Sequence, residues 1–362
     1  MKWRFFTLLA VSAAVAIAGA VTLGFLIVRA LSSMSSAQNR VVFNTPAERA
    51  SVQSRGRAVM ELVKKGDSAA VFALFDPSMA AAVPLGELQQ VIGQVGSVGG
   101  RLGDTASGSV YTADYRLGST HAPLSLEGRG AGGEGSKELS VTIDFDGDGK
   151  IAGLLLRPQD APPPDPEAGY RTRGNYRLPF DGDWTVFWGG DTLSQNYHVA
   201  YRDQRHAYDI VVARNGSTHK GDGGSLTDYY AFGKTIYAPA DATVVGAVDG
   251  LPDNIPGVMD PDHAAGNHVI LSCGNGEYVL MAHFRDHSLR VHAGDHVKAG
   301  QPIAECGDTG NSSEPHLHIH LQNGPILFHA TGLPLAFSSM IVDGKPVAKA
   351  ELLRGEIVRS AL

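Results

Sequence analysis

Cysteine is nearly absent: Cys273 and Cys306 are too few for a disulfide scaffold, and their order along the chain leaves open whether they meet. A basic excess is missing too. Lys and Arg number 30 against 37 Asp and Glu, and the resulting net charge of -7 argues against nucleic acid as the main partner. Beyond residue 170, long apolar segments of helical period are scarce, while the chain as a whole carries 44 Gly and 19 Pro. That composition predicts turn-rich β structure in the second half. At roughly 100 to 200 residues per domain, the length allows about two folded domains, each large enough to bury a core.

One long apolar run is present. Residues 5–28 carry no charge and are bounded by Lys2, Arg4 and Arg29, and about 20 such residues suffice to cross a bilayer. The expectation is a transmembrane helix within residues 1–30, with its N-terminus in the cytoplasm. That places a single pass in the inner (cytoplasmic) membrane and the folded domains in the periplasm or outside the cell. Small-x-small patterns such as Ala16-Ile17-Ala18 also offer a signal peptidase a place to cut, and both readings export the folded part.

Residues 31–44 read as a polar tether. An amphipathic helix is expected over 46–65, where Val52, Ala58, Val59, Leu62 and Val63 recur near helical spacing, and a second helical segment over 68–94. Strands are expected at 107–117, 138–144 and 150–156. Helices followed by an antiparallel sheet imply a small α+β domain over 45–156, similar in pattern to cystatin-like or NTF2-like accessory domains. Asp144, Asp146, Asp148 and Gly149 match the start of an EF-hand loop, but its twelfth position, where a bidentate Glu belongs, is Leu155. The run therefore reads as a hairpin turn. Residues 157–170 hold five prolines and several acids, as a stiff linker should.

Chemistry concentrates after the linker. In Glu314-Pro315-His316-Leu317-His318-Ile319-His320, a strand places His316 and His318 on one face about 7 Å apart, the scale of a metal site. With His198, His206, Asp209 and His283, the segment supplies the nitrogen and carboxylate ligands of a catalytic zinc, with histidines to spare for proton transfer. Asp209 sits between Tyr208 and the apolar run 210–212, where a carboxylate needs a cationic partner. His206 is three residues away, so on one strand the two side chains face opposite ways. A hairpin pairing 196–201 with 205–212 would set His198 directly opposite Asp209, and His198 is preferred on that geometry, with a longer or bulged turn leaving His206 open. The other histidines, His219, His263, His287, His292, His296 and His329, read as solvated loop residues.

Further short strands are expected at 235–239, 242–248, 267–272, 277–284 and within 291–303, with a long loop at 249–266 walling a groove. Taken together, Pro315-His316-Leu317-His318, the preceding Gly307-Asp308-Thr309-Gly310-Asn311-Ser312, Ala282-His283, Tyr237-Ala238-Pro239-Ala240-Asp241 and Val297-Lys298-Ala299-Gly300-Gln301-Pro302-Ile303 resemble the LytM/lysostaphin-type zinc metallopeptidases over residues 190–330. The resemblance implies a compact, mostly β, antiparallel LytM-like domain with a groove over 171–335, followed by a C-terminal extension at 336–362. It implies one zinc per chain held by Asp209 and His318 with an early-motif His, and catalytic roles for His283 and His316. The family's usual His-x-x-x-Asp is broken here by Arg205, so the first ligand rests on the hairpin argument for His198. His320 replaces an acidic or amide residue and is available as an added ligand.

The activity this implies is zinc-dependent endopeptidase cleavage of peptide bonds in bacterial peptidoglycan, in cross-links or stem peptides. Two other readings stand beside it: a catalytically inactive LytM-like protein that binds or activates cell-wall amidases, and a barrel-sandwich adaptor module, for which His-x-His has no use. Expected partners are peptidoglycan peptides and the membrane, with room for a protein regulator.

Overall fold

The computed structural model describes residues 26–28, 42–95, 97–117 and 137–361. The first helix, α1 (Pro46–Lys64), begins where Thr45 and Glu48 form a reciprocal capping box with Pro46 in the first turn. The helical segment expected at 68–94 is instead three pieces, α2 (Ser68–Phe72), α3 (Pro77–Ala82) and α4 (Leu85–Val95). Pro77 and Pro84 explain the breaks, since proline disfavours helix in the residue before it and lacks the N–H that would continue one.

Strands β1 (Leu26–Val28), β2 (Val98–Ser107), β3 (Val110–Leu117), β4 (Lys137–Phe145) and β5 (Ile151–Asp160) form an antiparallel sheet in the order β1-β5-β4-β3-β2. β2 was not expected; its Gly99, Gly100 and Gly103 dilute the strand pattern. Val52, Val59, Met60 and Val63 of α1 pack with Tyr111, Val141, Ile143 and Leu154 of the sheet. Contact is close at Gly56, where a Cβ would lie 2.1 Å from the Tyr111 ring. Between β4 and β5, Asp146 Oδ1 accepts from the Asp148 and Lys150 amides at 3.0 and 2.7 Å, which closes a turn of the expected hairpin kind.

The expected membrane helix lies outside the described residues except for Leu26–Val28. These three form β1, whose backbone pairs with Leu154, Leu155 and Leu156 of β5. Among the described residues no helix is long and apolar enough to cross a membrane.

The second sheet is built from β6 (Trp184–Trp188), β7 (Tyr208–Val211), β9 (Ala242–Val248), β10 (Asn267–Ser272), β11 (Tyr278–Phe284), β12 (His296–Val297), β14 (Leu317–Gln322), β15 (Gly332–Leu333), β16 (Phe337–Val342), β17 (Lys345–Ala350) and β18 (Ile357–Ser360). Its order is β12-β9-β10-β11-β14-β7-β6-β18-β16-β17, with β15 paired to β14. β8 (Thr235–Tyr237) and β13 (Pro302–Glu305) pair separately. The segment expected as a C-terminal extension is thus part of the sheet through the β18–β6 pairing. Cys273 and Cys306 are both free, Cys306 buried in the core.

Two adjacent strands set up the site. On β14, Leu317, Ile319 and Leu321 point into the main apolar core, so alternation sends His318, His320 and Gln322 to the opposite face. On β7, Tyr208 and Ile210 point into the same core and leave Asp209 on the histidine face. The strands pair with His318 directly opposite Asp209, and β11 flanks β14 on its other side with Ala282 opposite His318.

Candidate metal centre

The hairpin expected around His198 does not form. Tyr197–Ala200 is a turn of 3-10 helix capped by Asn196, whose Oδ1 accepts the His198 backbone N–H at 3.2 Å. A side chain that bonds its own local backbone in this way competes with strand pairing. Asp209 is flanked on the sheet by His318 and Trp188 instead. His198 nevertheless arrives beside Asp209 from the loop, with Nε2 3.7 Å from Oδ2. One ligand atom from each of His198, Asp209 and His318 lies within 4.8 Å of the others, and all three residues are buried.

Hydrogen-bond partners fix which nitrogen of each ring is free. Asn196 Nδ2 donates to the Gly190 and Ala207 carbonyls at 3.2 and 3.0 Å, which leaves its Oδ1 to accept from His198 Nδ1 at 2.8 Å. His198 Nδ1 therefore carries the proton. Its Nε2 is a buried lone pair without a hydrogen-bond partner, a costly arrangement unless a cation takes it.

A second chain of bonds fixes His318. Gln322 Nε2 donates to the Gly324 carbonyl at 2.7 Å, so Gln322 Oε1 accepts from His320 Nε2 at 2.9 Å. His320 Nδ1 must then accept from His318 Nε2 at 3.0 Å. Neutral His318 thus turns a bare Nδ1 toward Asp209 Oδ1 at 2.9 Å. Two acceptors facing each other at that distance repel unless a cation joins them. Nitrogen and oxygen ligands of one tetrahedral zinc are roughly 3.3 Å apart, so the donor set fits that ion. His320 is committed to orienting His318, and it does not belong to the ligand group.

Burial favours neutral rings: it pulls His198 down to about 3 and His320 to about 3, and His283 well below the usual range. Burial alone would raise the Asp209 carboxyl, but the nearby His198 and His316 outweigh it and hold it well below its usual value. His316 is likewise disfavoured as a cation by burial, yet Asp209 prevails and raises it to about 9.

His283 and His316 stand beside the cluster, with ring centroids 4.7 Å apart. By alternation His283 would share the core-facing side of Met281. Its backbone instead takes φ +64°, in the left-handed region. The register slips opposite it, between Asn267 and Val269, and its ring lies 5.8 Å from that of His318. His283 Nδ1 is bound to the Thr309 carbonyl at 2.7 Å and His316 Nδ1 to the Glu314 carbonyl at 2.8 Å. Carbonyls only accept, so both rings protonate Nδ1 and keep Nε2 for chemistry. A cavity lined by Tyr197, Ala265, His283, His318, Leu327 and Phe328 opens beside them. The 249–266 loop walls it through Ala264 and Ala265, and Asn254 of the same loop ties it to the following turn, its Nδ2 donating to the Gly310 and Ser312 carbonyls at 2.8 and 3.0 Å.

His206 goes elsewhere. Its Nε2 is 3.2 Å from Asp165 and its Nδ1 3.6 Å from Asp191, and with Asp191 and Glu351 it forms a separate cluster. His263, His287, His292, His296 and His329 are exposed and His219 is half-buried. Sequence reasoning missed Asn196, Thr309 and Gln322. Only Asn196 left a signal, an Asn two residues before a His, the spacing of a side chain that caps its own turn.

Solved structures to which the chain is similar include a zinc containing peptidase from Vibrio cholerae, at 16% identity and TM-score 0.27 over 59% of this chain and 55% of that one. Another is the catalytic domain of the antimicrobial peptidase lysostaphin from Staphylococcus simulans, at 22% identity and TM-score 0.26 over 41% of this chain and 86% of that one. The chain therefore spans little more than half the length of the Vibrio cholerae protein. Residues 224–328 match the model of Peptidase family M23; His283, His316 and His318 lie within the matched residues, while His198 and Asp209 come from the chain just before them.

Proposed function

We propose that this protein is a zinc-dependent metalloendopeptidase that hydrolyses peptide bonds in bacterial peptidoglycan, in cross-links or stem peptides. The observation that carries the reading is the convergence of His198 Nε2 and His318 Nδ1 on the Asp209 carboxylate, where His198 Nε2 is buried without a hydrogen-bond partner. His198, Asp209 and His318 are the metal ligands, one zinc per chain. Bound there, the ion would supply an activated water and polarise a carbonyl.

The remaining steps belong to the chain. His283 and His316 each present Nε2 with Nδ1 anchored on a carbonyl; neutral His283 has the tautomer of a general base, and protonated His316 the form of a general acid. Asp209 lies 3.6 Å from His316 Nε2 and favours its protonated form. The adjoining cavity, with aromatic and aliphatic walls from Tyr197, Leu327 and Phe328, suits an extended peptide held across the histidines. An exported protein meets that substrate, and the apolar run at 5–28 would place residues beyond 30 outside the cytoplasm. A complete ligand set and both Nε2 atoms favour an enzyme over an inactive amidase activator.

The test is elemental analysis of the purified protein together with turnover of peptidoglycan peptides. We expect one zinc per chain, and His283→Ala should retain it while losing about 10²- to 10⁴-fold in rate. A protein that takes up no zinc after reconstitution, or a His283→Ala variant of undiminished rate, overturns the reading.

A further inference from the structure

The loop that delivers His198 is held from outside by the N-terminal sheet. It leaves β6 and passes along β2 and β3 before the 3-10 turn. The Ser194 amide donates to Asp114 Oδ2 on β3 at 2.7 Å, and Asp114 is fully buried, its other oxygen bound by Gln159 Nε2 at 3.2 Å. Next along the chain, Gln195 Nε2 donates to the Asp104 carbonyl on β2 at 3.3 Å. Gly103 of β2 lies flat on the same loop, where a Cβ would come 2.5 Å from Gln195 Oε1 and 2.8 Å from Thr192 Oγ1. Arg354 closes the far side by donating to the Ser194 carbonyl at 2.7 Å while its guanidinium stacks 4.0 Å from the Trp188 ring. Asn196 follows directly, and Asn196 is the residue that fixes the His198 ring.

We propose that Asp114 is a positioning residue for the first metal ligand, and that docking of the N-terminal sheet through it sets the metal affinity of a centre whose ligands all lie in the other half of the chain. The inference rests on the metal reading above. Asp209 and His318 sit on paired strands inside a sheet and need no outside help. His198 stands on an irregular segment, and an irregular segment must be ordered before it can ligate. Contacts from β2 and β3 order it during folding, so the cost is not charged to metal binding. Partners that orient a ligand typically change metal affinity by about 10- to 100-fold when removed.

The experiment measures zinc affinity of the full chain by competition with a chromophoric chelator, and amide exchange at 194–198 in the metal-free protein. Asp114→Ala should weaken zinc about 10- to 100-fold and speed exchange at Ser194 and His198. Asp114→Asn, which keeps an acceptor for Ser194, should recover most of both. Gly103→Ala should move both readouts in the same direction as Asp114→Ala by pushing on Gln195 and Thr192, although it removes no hydrogen-bonding group. Arg49→Ala, which removes the contacts to Asp343 and the Gly355 carbonyl but leaves Asp114, Gly103 and Arg354 in place, should leave zinc affinity near that of the parent.

Parent-like affinity and exchange in Asp114→Ala overturn the proposal, as does a loss of equal size in Arg49→Ala, which would mark a general docking effect. A parent protein without zinc overturns the metal reading instead, and the exchange measurement then decides by itself whether Asp114 orders the loop.

Discussion

The chain brings histidine and carboxylate together at two places only a few residues apart in sequence, and the two behave differently. Around His206 both ring nitrogens face carboxylates, Asp165 at 3.2 Å and Asp191 at 3.6 Å, and Arg205 stands 3.7 Å from Asp165. Around Asp209 each histidine is backed by a neutral acceptor, Asn196 Oδ1 behind His198 and His320 Nδ1 behind His318. In a neutral ring that backing takes up the single proton and leaves the inward nitrogen, His198 Nε2 or His318 Nδ1, as a lone pair. Both clusters combine histidine with carboxylate; under the proposed reading, what separates a ligand from a counter-ion is the group hydrogen-bonded to the far side of the imidazole.

The largest test of this contrast is metal loss. His198→Ala and His318→Ala should each abolish zinc by elemental analysis, whereas His206→Ala should keep the parent stoichiometry. Loss of zinc with His206→Ala would break the comparison. Smaller is the effect of the backing group: His320→Ala leaves all three ligands but frees His318 to choose its tautomer, and zinc affinity should fall about 10- to 100-fold. Unchanged affinity would show that the acceptor behind the ring does not matter.

Smallest is a pH effect at the outer cluster. The hydrogen bond from His206 holds the Asp191 carboxyl below its usual value, so the pair's stabilisation is present above pH ~4 and disappears as acid protonates Asp191. Chemical denaturation of the parent and Asp191→Asn should therefore differ by only a few tenths of a kcal/mol at neutral pH, because the carboxylate is 74% exposed. The gap should close on acidification through the lowered pKa. A gap that widens in acid would contradict the pairing.

Much of the inner site was legible in the sequence because alternation is a strong constraint. Leu317, Ile319 and Leu321 had to go inward, which fixed where His318 faced, and Asp209 between Tyr208 and Ile210 followed the same logic. His198 was reached for the wrong reason. The one sign in 196–201 that a turn replaces the strand is Asn196 two residues before the histidine, and the neighbour that makes His198 useful is set by the loop's packing. β16 to β18 were hidden for a different reason: β17 exposes most of its residues, so its apolar pattern is faint even though five of its six residues pair along β16. Proline placement, by contrast, was readable and was underused, since Pro77 and Pro84 divide a helical segment that periodicity alone runs together.

His283 carries a consequence for how such a chain changes over generations. A histidine at φ +64° spends on the order of 1 kcal/mol that glycine or asparagine would not. Mutation supplies both replacements continually, and a lineage selected for folding alone would keep whichever arose, since stabilising changes at such a site are common and free of penalty when the side chain has no task. A histidine kept on such backbone fits the catalytic role proposed for it, and under that proposal position 283 is the first place where a decayed copy of this protein would show its loss.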